Sequence, residues 1–397
     1  MSTMSESRAR PADPTDRWPA IVVLALATFM VVTSEMLPVG VLTPMSEGLS
    51  ISPGTAGFSL AITGVVAAFA APFVPRAIGG LDRRGVLVAA ALVLATGNLI
   101  TAAAQSFAVL ALGRIIVGFA MATVWALAVA SATRLVRADR VGLAVSTVTG
   151  GVAVASVLGV PFGTFLGDIA GWRSAFGALA LAAVVLAAGL AALLPPLARQ
   201  HGAGTTGNFR SLLAIPAVRW GLIAVILVVS AHFAAYTYVR PALETLSGVH
   251  GSGISLLLLV YGVFGIVANF AAGAAAARWV RPTLLVLAIG MTGALLALPA
   301  VGKAPFGAGA VLVLWGLSYG GVSVCATLWA VQAAPDRREA VTGLFVGAFT
   351  GSIALGSFLG GVVLDGAGLS VLFWGAAGAA AVAVLTLIPG RGGVAAR

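Results

Sequence analysis

Twelve continuous apolar runs, each near bilayer-spanning length, constrain this 397-residue chain more than any other feature. A transmembrane helix needs about 20 mostly apolar residues. The runs lie at 19–42, 55–75, 86–103, 107–132, 141–166, 172–195, 217–239, 252–277, 283–301, 306–332, 340–363 and 369–389. Only 9% of the residues are charged and 60% are hydrophobic, too little charge to cover a soluble surface. The same composition excludes disorder, and unbroken runs exclude a porin-like barrel, whose strands alternate polar and apolar residues. A single cysteine, Cys325, excludes a disulfide scaffold. The expected fold is an all-α integral membrane protein with the lipid bilayer as its solvent.

The net charge of +10 would suggest nucleic acid in a soluble protein. Here the arginines are spread over loops without a dense basic stretch, so no nucleic-acid partner is expected. Their placement instead predicts orientation. One set of loops holds Arg8, Arg10, Arg17, Arg76, Arg83, Arg84, Arg134, Arg137, Arg140, Arg199, Arg210, Arg219, Arg278, Arg281, Arg337, Arg338, Arg391 and Arg397; the other holds Arg173, Arg240 and Lys303. The positive-inside rule then places both termini in the cytoplasm. The segment 19–42 is too long for a signal-peptide core and runs through Glu35 without a small-residue cleavage site.

An ungapped shift of 197 residues aligns one half of the chain with the other. It pairs Pro44 with Pro241, Glu47 with Glu244, Gly54 with Gly251, Arg84 with Arg281, and Asp139–Arg140 with Asp336–Arg337. It also pairs Gly159 with Gly356, Gly163 with Gly360, Asp168 with Asp365, Gly171 with Gly368 and Phe176 with Phe373. Charged matches carry the argument, because charged residues are scarce. The expected organisation is a tail (1–18), a six-helix half (19–195), a linker (196–216), a second half (217–389) and a short tail (390–397). Parallel repeats with a site between them at mid-depth are a secondary-transporter arrangement.

Charge inside a membrane costs about 2.5–3.5 kcal/mol at a helix centre and usually marks function. Two such residues lie well inside the runs, Glu35 and Arg114. Glu35 stands three residues before Pro38, which loosens the helix there. Burial favours the neutral carboxyl and a nearby cation the charged one, so Glu35 is a candidate proton carrier, with a hydrogen-bonded packing residue as the alternative. Arg114 keeps its charge and must find acceptors or a wet cavity; tuning Glu35, binding substrate and tying helices together all remain open. The repeat takes Glu35 to His232, with Tyr236 one turn further on the same face. His232, Tyr236 and Tyr238 are candidate cavity residues, as are Trp125 and Trp329, and Trp315 and Tyr319 join them as aromatics of cavity or interfacial belt. Gly150, Gly151, Gly159, Pro161, Gly163 and Gly167 form a stripe in the fifth run, suited to close packing or to bending that gates a pathway.

Other chemistries find no residues. Gly302-Lys303 is followed by Ala304, so there is no phosphate-binding loop. His201, His232, His250 and Cys325 form no metal cluster, and neither a cofactor nor an enzyme activity is expected.

Several segments resemble the major facilitator superfamily, in particular twelve-span drug:proton antiporters of the bacterial sugar-efflux and arabinose-efflux-permease type. Thr33-Ser34-Glu35-Met36-Leu37-Pro38-Val39-Gly40 is similar to that branch's first-span signature, and Leu112-Gly113-Arg114 with Gly118 to its fourth-span arginine motif. Gly159-Val160-Pro161-Phe162-Gly163 resembles the fifth-span antiporter motif, with Gly-x-Pro where Gly-Pro is commoner, and residues 231–238 resemble the seventh span. Asp82-Arg83-Arg84-Gly85 matches the loop after span two, although Val86 and Leu87 replace its basic pair. The resemblance implies the major facilitator fold and a gating role for Asp82, Arg83 and Gly85, the alternative being a solvated loop. It further implies a monomeric carrier in a bacterial inner membrane, exchanging protons for sugar-like compounds or drugs by alternating access. A proton symporter for uptake, a channel and a non-transporting sensor are the competing readings.

Overall fold

The structure, a computed structural model, describes residues 16–197, 209–302 and 304–388. Most of the expected linker, both tails, His201 and the basic residues Arg8, Arg10, Arg199, Lys303, Arg391 and Arg397 lie outside the described residues. Every element described is helical. In chain order these are α1 Trp18–Gly40, α2 Leu42–Leu49, α3 Pro53–Ala70, α4 Val74–Ile78, α5 Arg83–Ala102 and α6 Phe107–Ala132. Then come α7 Val141–Val154, a π-helical turn Ala155–Gly159, α8 Val160–Ala170 and α9 Trp172–Leu193. The second half holds α10 Phe209–Leu213, α11 Pro216–Tyr236, α12 Val239–Ser247, α13 Ser252–Val301, α14 Pro305–Tyr319, α15 Val322–Ala333 and α16 Arg338–Leu387.

Ten helical segments among the described residues are long and apolar enough to cross a membrane. Two of them, α13 and α16, have 50 residues. A straight helix of that length would measure about 75 Å, more than twice a hydrocarbon core of about 30 Å. Each contains one non-helical residue instead, Trp279 in α13 and Gly368 in α16. The chain folds back there: Ala272 and Leu287, on either side of Trp279, both pack at Gly321. The breaks fall where the apolar runs are interrupted, so ten segments make twelve spans. Span five is α7, the π turn and α8; span ten is α14 with α15.

The halves repeat in geometry. Gly171 joins spans five and six at φ 85°, and Gly368 joins eleven and twelve at φ 84°, a left-handed backbone that glycine adopts without strain. Arg84 donates to the carbonyl of Ala191, and its repeat mate Arg281 donates to that of Ile388, the mate of Ala191. A Cβ on Gly159 would meet Thr33, and one on Gly356 would meet Ser230, the mate of Thr33. Spans five and eleven thus rest on spans one and seven in the same way.

The described loop arginines gather by face. Asp16 pairs with Arg140 at 3.1 Å, Arg83 N–H donates to Leu197, and Arg337 donates to Ser211 Oγ at 2.6 Å. This arginine-rich face lies opposite the one bearing Arg173 and Arg240.

Candidate functional site

The site grows from one proline. Pro38 sits inside α1 and has no N–H to give the carbonyl of Ser34, four residues back. Arg114 supplies the missing donor. Its Nη1 reaches Ser34 O at 2.9 Å, Nη2 reaches Glu35 O at 3.1 Å, and Nε reaches Ser59 O at 3.3 Å. The planar guanidinium serves three carbonyls on two helices at once, which a lysine ammonium is poorly shaped to do. Of the uses open to Arg114, the structure displays helix tying. Around it, Ser34 Oγ donates to Asn98 Oδ1 at 2.8 Å, Asn98 Nδ2 donates to Leu94 O at 3.0 Å, and Thr63 Oγ1 donates to Arg114 O at 3.3 Å.

With Arg114 committed to carbonyls, the Glu35 side chain is left without an ion pair among those described. Glu35 is 2% exposed, and its Oε1 is buried with no hydrogen-bond partner among the described residues. Unpaired buried polar atoms are uncommon and call for an explanation.

The other half presents an aromatic cluster. His232 lies between two rings, Tyr319 at 3.4 Å and Tyr236 at 4.9 Å between centroids. Trp315 Nε1 donates to His232 Nδ1 at 3.0 Å, so the imidazole proton sits on Nε2, facing Tyr261 Oη at 3.5 Å. Phe233 packs edge-on against His232 and Tyr319. The Tyr319 hydroxyl, like Glu35 Oε1, is buried and without a hydrogen-bond partner among the described residues.

Between the halves, a cavity of about 720 Å³ is lined by Trp125, Ala126, Val129 and Ala130 of α6 and by Arg338 and Thr342 of α16. These are the arginine-face ends of spans four and eleven. The opposite face is sealed. Arg240 binds Asp168 through Nη2 at 2.8 Å, Glu244 through Nε at 2.9 Å and the carbonyl of Gly40 through Nη1 at 2.5 Å. Thr43 donates to Glu244 Oε2. Asp365, the mate of Asp168, accepts from Ser52 Oγ at 2.6 Å and Gly54 N at 3.0 Å. The conformation is therefore closed at the Arg240 face, with its cleft at the arginine-rich face.

The residues singled out from sequence fall into separate places. Glu35 and Arg114 are neighbours at the break in α1. His232 and Tyr236 join the aromatic cluster, with Trp315, Tyr319 and Tyr261. Trp125 stands on the cleft wall. Tyr238 lies in the sealed seam instead, donating to Ser357 O at 2.7 Å and packed against Gly57 and Gly361. Trp329 is buried within the second half, donating to Ala217 O at 2.8 Å over Gly221. Both are packed away from the cleft because each indole or phenol found a backbone carbonyl beside a glycine. Asp82 caps α5 and accepts from Arg84 N and from Leu197 N at 2.7 Å, so its loop is tied to its own half; Gly85 is exposed. Gly159 and Gly163 pack on Thr33 and Leu37 of α1, and Pro161 follows the π turn, a common site of bending. Asn98, Ser59 and the Arg240–Asp168 pair were not singled out. Ser59 takes part through its backbone carbonyl, which accepts from Arg114, and Asn98 through an Oδ1 that accepts from Ser34 Oγ, so neither is a donor that the Pro38 break would have called for.

The sequence model described as Major Facilitator Superfamily matches residues 24–350. OpdE of Pseudomonas aeruginosa, named a transcription regulatory protein, is 35% identical over 378 residues, covering 94% of each chain. The purine ribonucleoside efflux pump NepI of Salmonella typhimurium is 34% identical over 357 residues, covering 89% of this chain and 88% of the relative. Among solved structures, a mutant of the nucleoside transporter NupG superposes with a TM-score of 0.78 at 13% identity, covering 93% of this chain and 98% of that one. A bacterial homologue of the human lysosomal transporter Spinster, in an inward-facing, unoccupied conformation, gives 0.69 at 17% identity and 94% coverage of both. The chain is a non-enzymatic membrane transport protein of the Major Facilitator Superfamily.

Proposed function

We propose that this protein is a proton-driven exporter of neutral, planar heterocyclic solutes of the nucleoside class, working by alternating access with its termini and arginine-rich face in the cytoplasm. The observation that carries the coupling is Glu35, a buried carboxyl at the break in α1 with an oxygen unpartnered among the described residues. Glu35 takes a proton when the site opens to the outside and releases it when the site opens to the cytoplasm. Cargo moves the other way. One charge crossing 100 mV yields about 2.3 kcal/mol, roughly a fifty-fold gradient. The cargo class is supported by the aromatic cluster of His232, Tyr236 and Tyr261, whose rings suit stacking against a base, and by the 34% identical relative named a purine ribonucleoside efflux pump. The name of the Pseudomonas relative favours a second reading, a membrane sensor, which would bind solute without saturable flux.

Purified protein in liposomes, with labelled adenosine as probe, tests the reading. Glu35→Gln keeps size and hydrogen bonding but exchanges no proton. It should lose uphill, pH-driven adenosine movement and keep adenosine-for-adenosine exchange. Normal uphill transport by Glu35→Gln would remove the carboxyl from the mechanism, and absence of any saturable flux in the unaltered protein would favour the sensor.

A further inference from the structure

The cleft at the arginine-rich face has a wall chemistry that the repeat does not explain. Trp125 on α6 and Arg338 and Thr342 on α16 line one cavity of about 720 Å³. Under the shift of 197 residues, Trp125 pairs with Val322, Arg338 with Val141 and Thr342 with Val145. The other half thus builds the same elements with valine at all three places, so packing does not require an indole, a guanidinium or a hydroxyl there. They come from different halves, and the cavity is where they meet.

All three side chains have polar groups to spare. The Trp125 indole is 37% exposed, and its N–H has no partner among the described residues. Arg338 gives its Nε to Pro335 O at 3.1 Å, which sets the plane of the guanidinium and leaves both Nη groups without a partner among the described residues. Thr342 follows one turn later on the same face of α16. Helical threonines elsewhere return the hydroxyl to the carbonyl four residues back, as Thr123, Thr147 and Thr327 do. Thr342 makes no such bond among the described residues. The rest of the described lining is Ala126, Val129 and Ala130, with no acidic side chain to attract a cation. One wall therefore offers a ring face, and the other offers a fork of donors beside a hydroxyl.

We propose that this wall is a cargo-binding site in its own right, where a planar heterocycle stacks on Trp125 and turns an edge with two adjacent hydrogen-bond acceptors toward Arg338, with Thr342 beside it. The proposal rests on the nucleoside reading of the cargo and narrows it. A guanidinium only donates. A 6-oxopurine such as inosine carries O6 and N7 side by side, the pair an arginine fork binds with two bonds. Adenosine puts an amino donor in place of O6, against a group that cannot accept. The site therefore selects 6-oxopurine over 6-aminopurine nucleosides. Solute entering from this face meets it before the aromatic cluster, where His232 is 1% exposed.

Equilibrium binding of labelled inosine and adenosine to the purified protein tests the site without transport or a proton gradient. The unaltered protein should bind inosine about tenfold more tightly than adenosine, the discrimination one bidentate arginine supplies. Arg338→Gln introduces one donor and one acceptor, the set that matches adenine. It should weaken inosine about tenfold and leave adenosine unchanged or tighter, so retained adenosine binding also shows that the variant is folded. Trp125→Leu should weaken both nucleosides about tenfold through lost stacking, and Trp125→Phe should recover most of the affinity. Equal losses of both nucleosides in Arg338→Gln, or no loss of either, would overturn the role of Arg338. Full affinity in Trp125→Leu would remove the ring from the site. Occupancy is read locally at Val129→Cys, one turn from Trp125 on the same wall, in a Cys325→Ala background. Saturating inosine should slow its labelling by an impermeant thiol reagent. Inosine that binds while Val129→Cys labels at its unliganded rate would defeat the proposal and leave the exporter reading intact. Absence of any nucleoside binding to the unaltered protein would defeat both this site and the nucleoside reading beneath it.

Discussion

The centre of this transporter is organised by an atom that is missing. Pro38 withholds the N–H that Ser34 O needs, and Arg114 crosses from another helix to provide it. The energetics are testable as a cycle. Arg114→Lys should destabilise the protein by about 2–4 kcal/mol, because a buried charge loses most of its acceptors and carbonyls are left bare. Pro38→Ala restores the intrahelical donor and makes the Ser34 contact redundant. In that background Arg114→Lys should cost about 1 kcal/mol less, a coupling of the size expected for groups sharing a partner. Thermal unfolding of the four proteins in detergent measures it, and strict additivity would show that the proline and the arginine are independent. The same pair shows what sequence made legible. Rare charges in apolar runs exposed Glu35 and Arg114 as residues of interest, since charge there is expensive. Ser59, whose carbonyl accepts from Arg114, and Asn98, which accepts from Ser34 Oγ, are ordinary residues for a membrane helix, and nothing in their spacing marked them. Tyr238 and Trp329 lie away from the cleft for a related reason: an aromatic with a polar tip suits a cavity wall and a glycine-lined seam equally well, and only the neighbouring helix decides.

At the level of whole helices, the repeat carried far more information than any single motif. A shift of 197 residues was readable from a few charged and glycine matches, and the structure repeats contacts at the same spacing, including Gly159 on Thr33 and Gly356 on Ser230. Helices without a hydrophobic drive to associate in lipid depend on such close approach. At Gly356 the obstruction to a Cβ is backbone, the carbonyl and Cα of Ser230, which no rotamer change can clear; at Gly347 a Cβ would meet nothing within 4 Å. Gly356→Ala should therefore lower stability by about 1–3 kcal/mol, the usual cost of overpacking, while Gly347→Ala should be neutral or stabilising, since alanine is the better helix former. Equal melting temperatures for the two variants in detergent would show that spans seven and eleven are not in intimate contact. The breaks inside α13 and α16 were legible only as gaps between apolar runs, because a single residue, Trp279 or Gly368, turns each chain.

Across the molecule, the seal at the Arg240 face is built twice. Asp168 at the end of span five takes Arg240 from the second half, and Asp365 at the end of span eleven takes Ser52 and the N–H of Gly54 from the first. Each aspartate reaches across to the loop region between the first two spans of the opposite half, so the pair forms symmetry-related latches that must both release before that face opens. The latches differ in chemistry. The first is an ion pair whose side chains are 7% and 10% exposed, and Asp168 Oδ2 is buried without a partner among the described residues. The second is hydrogen-bonded to neutral groups. Removing the charge at Asp168 leaves Arg240 with one ion pair, to Glu244, beside its bond to the Gly40 carbonyl, whereas removing it at Asp365 weakens two hydrogen bonds. Asp168→Asn should therefore shift the equilibrium further toward opening at this face than Asp365→Asn. If the first latch contributes about 1.4 kcal/mol to closure, its loss raises a minor open population about tenfold. The readout is a cysteine at Ala56, fully buried in α3 two residues from the Gly54 N–H that Asp365 holds, labelled by an impermeant reagent from the Arg240 side in a Cys325→Ala background. Labelling should rise in the order unaltered, Asp365→Asn, Asp168→Asn, double variant, and cleft labelling at Thr342→Cys should fall in step because the two faces alternate. Raised access at Ala56 with no fall at Thr342 would mean that the latches hold the seam together without governing which face is open.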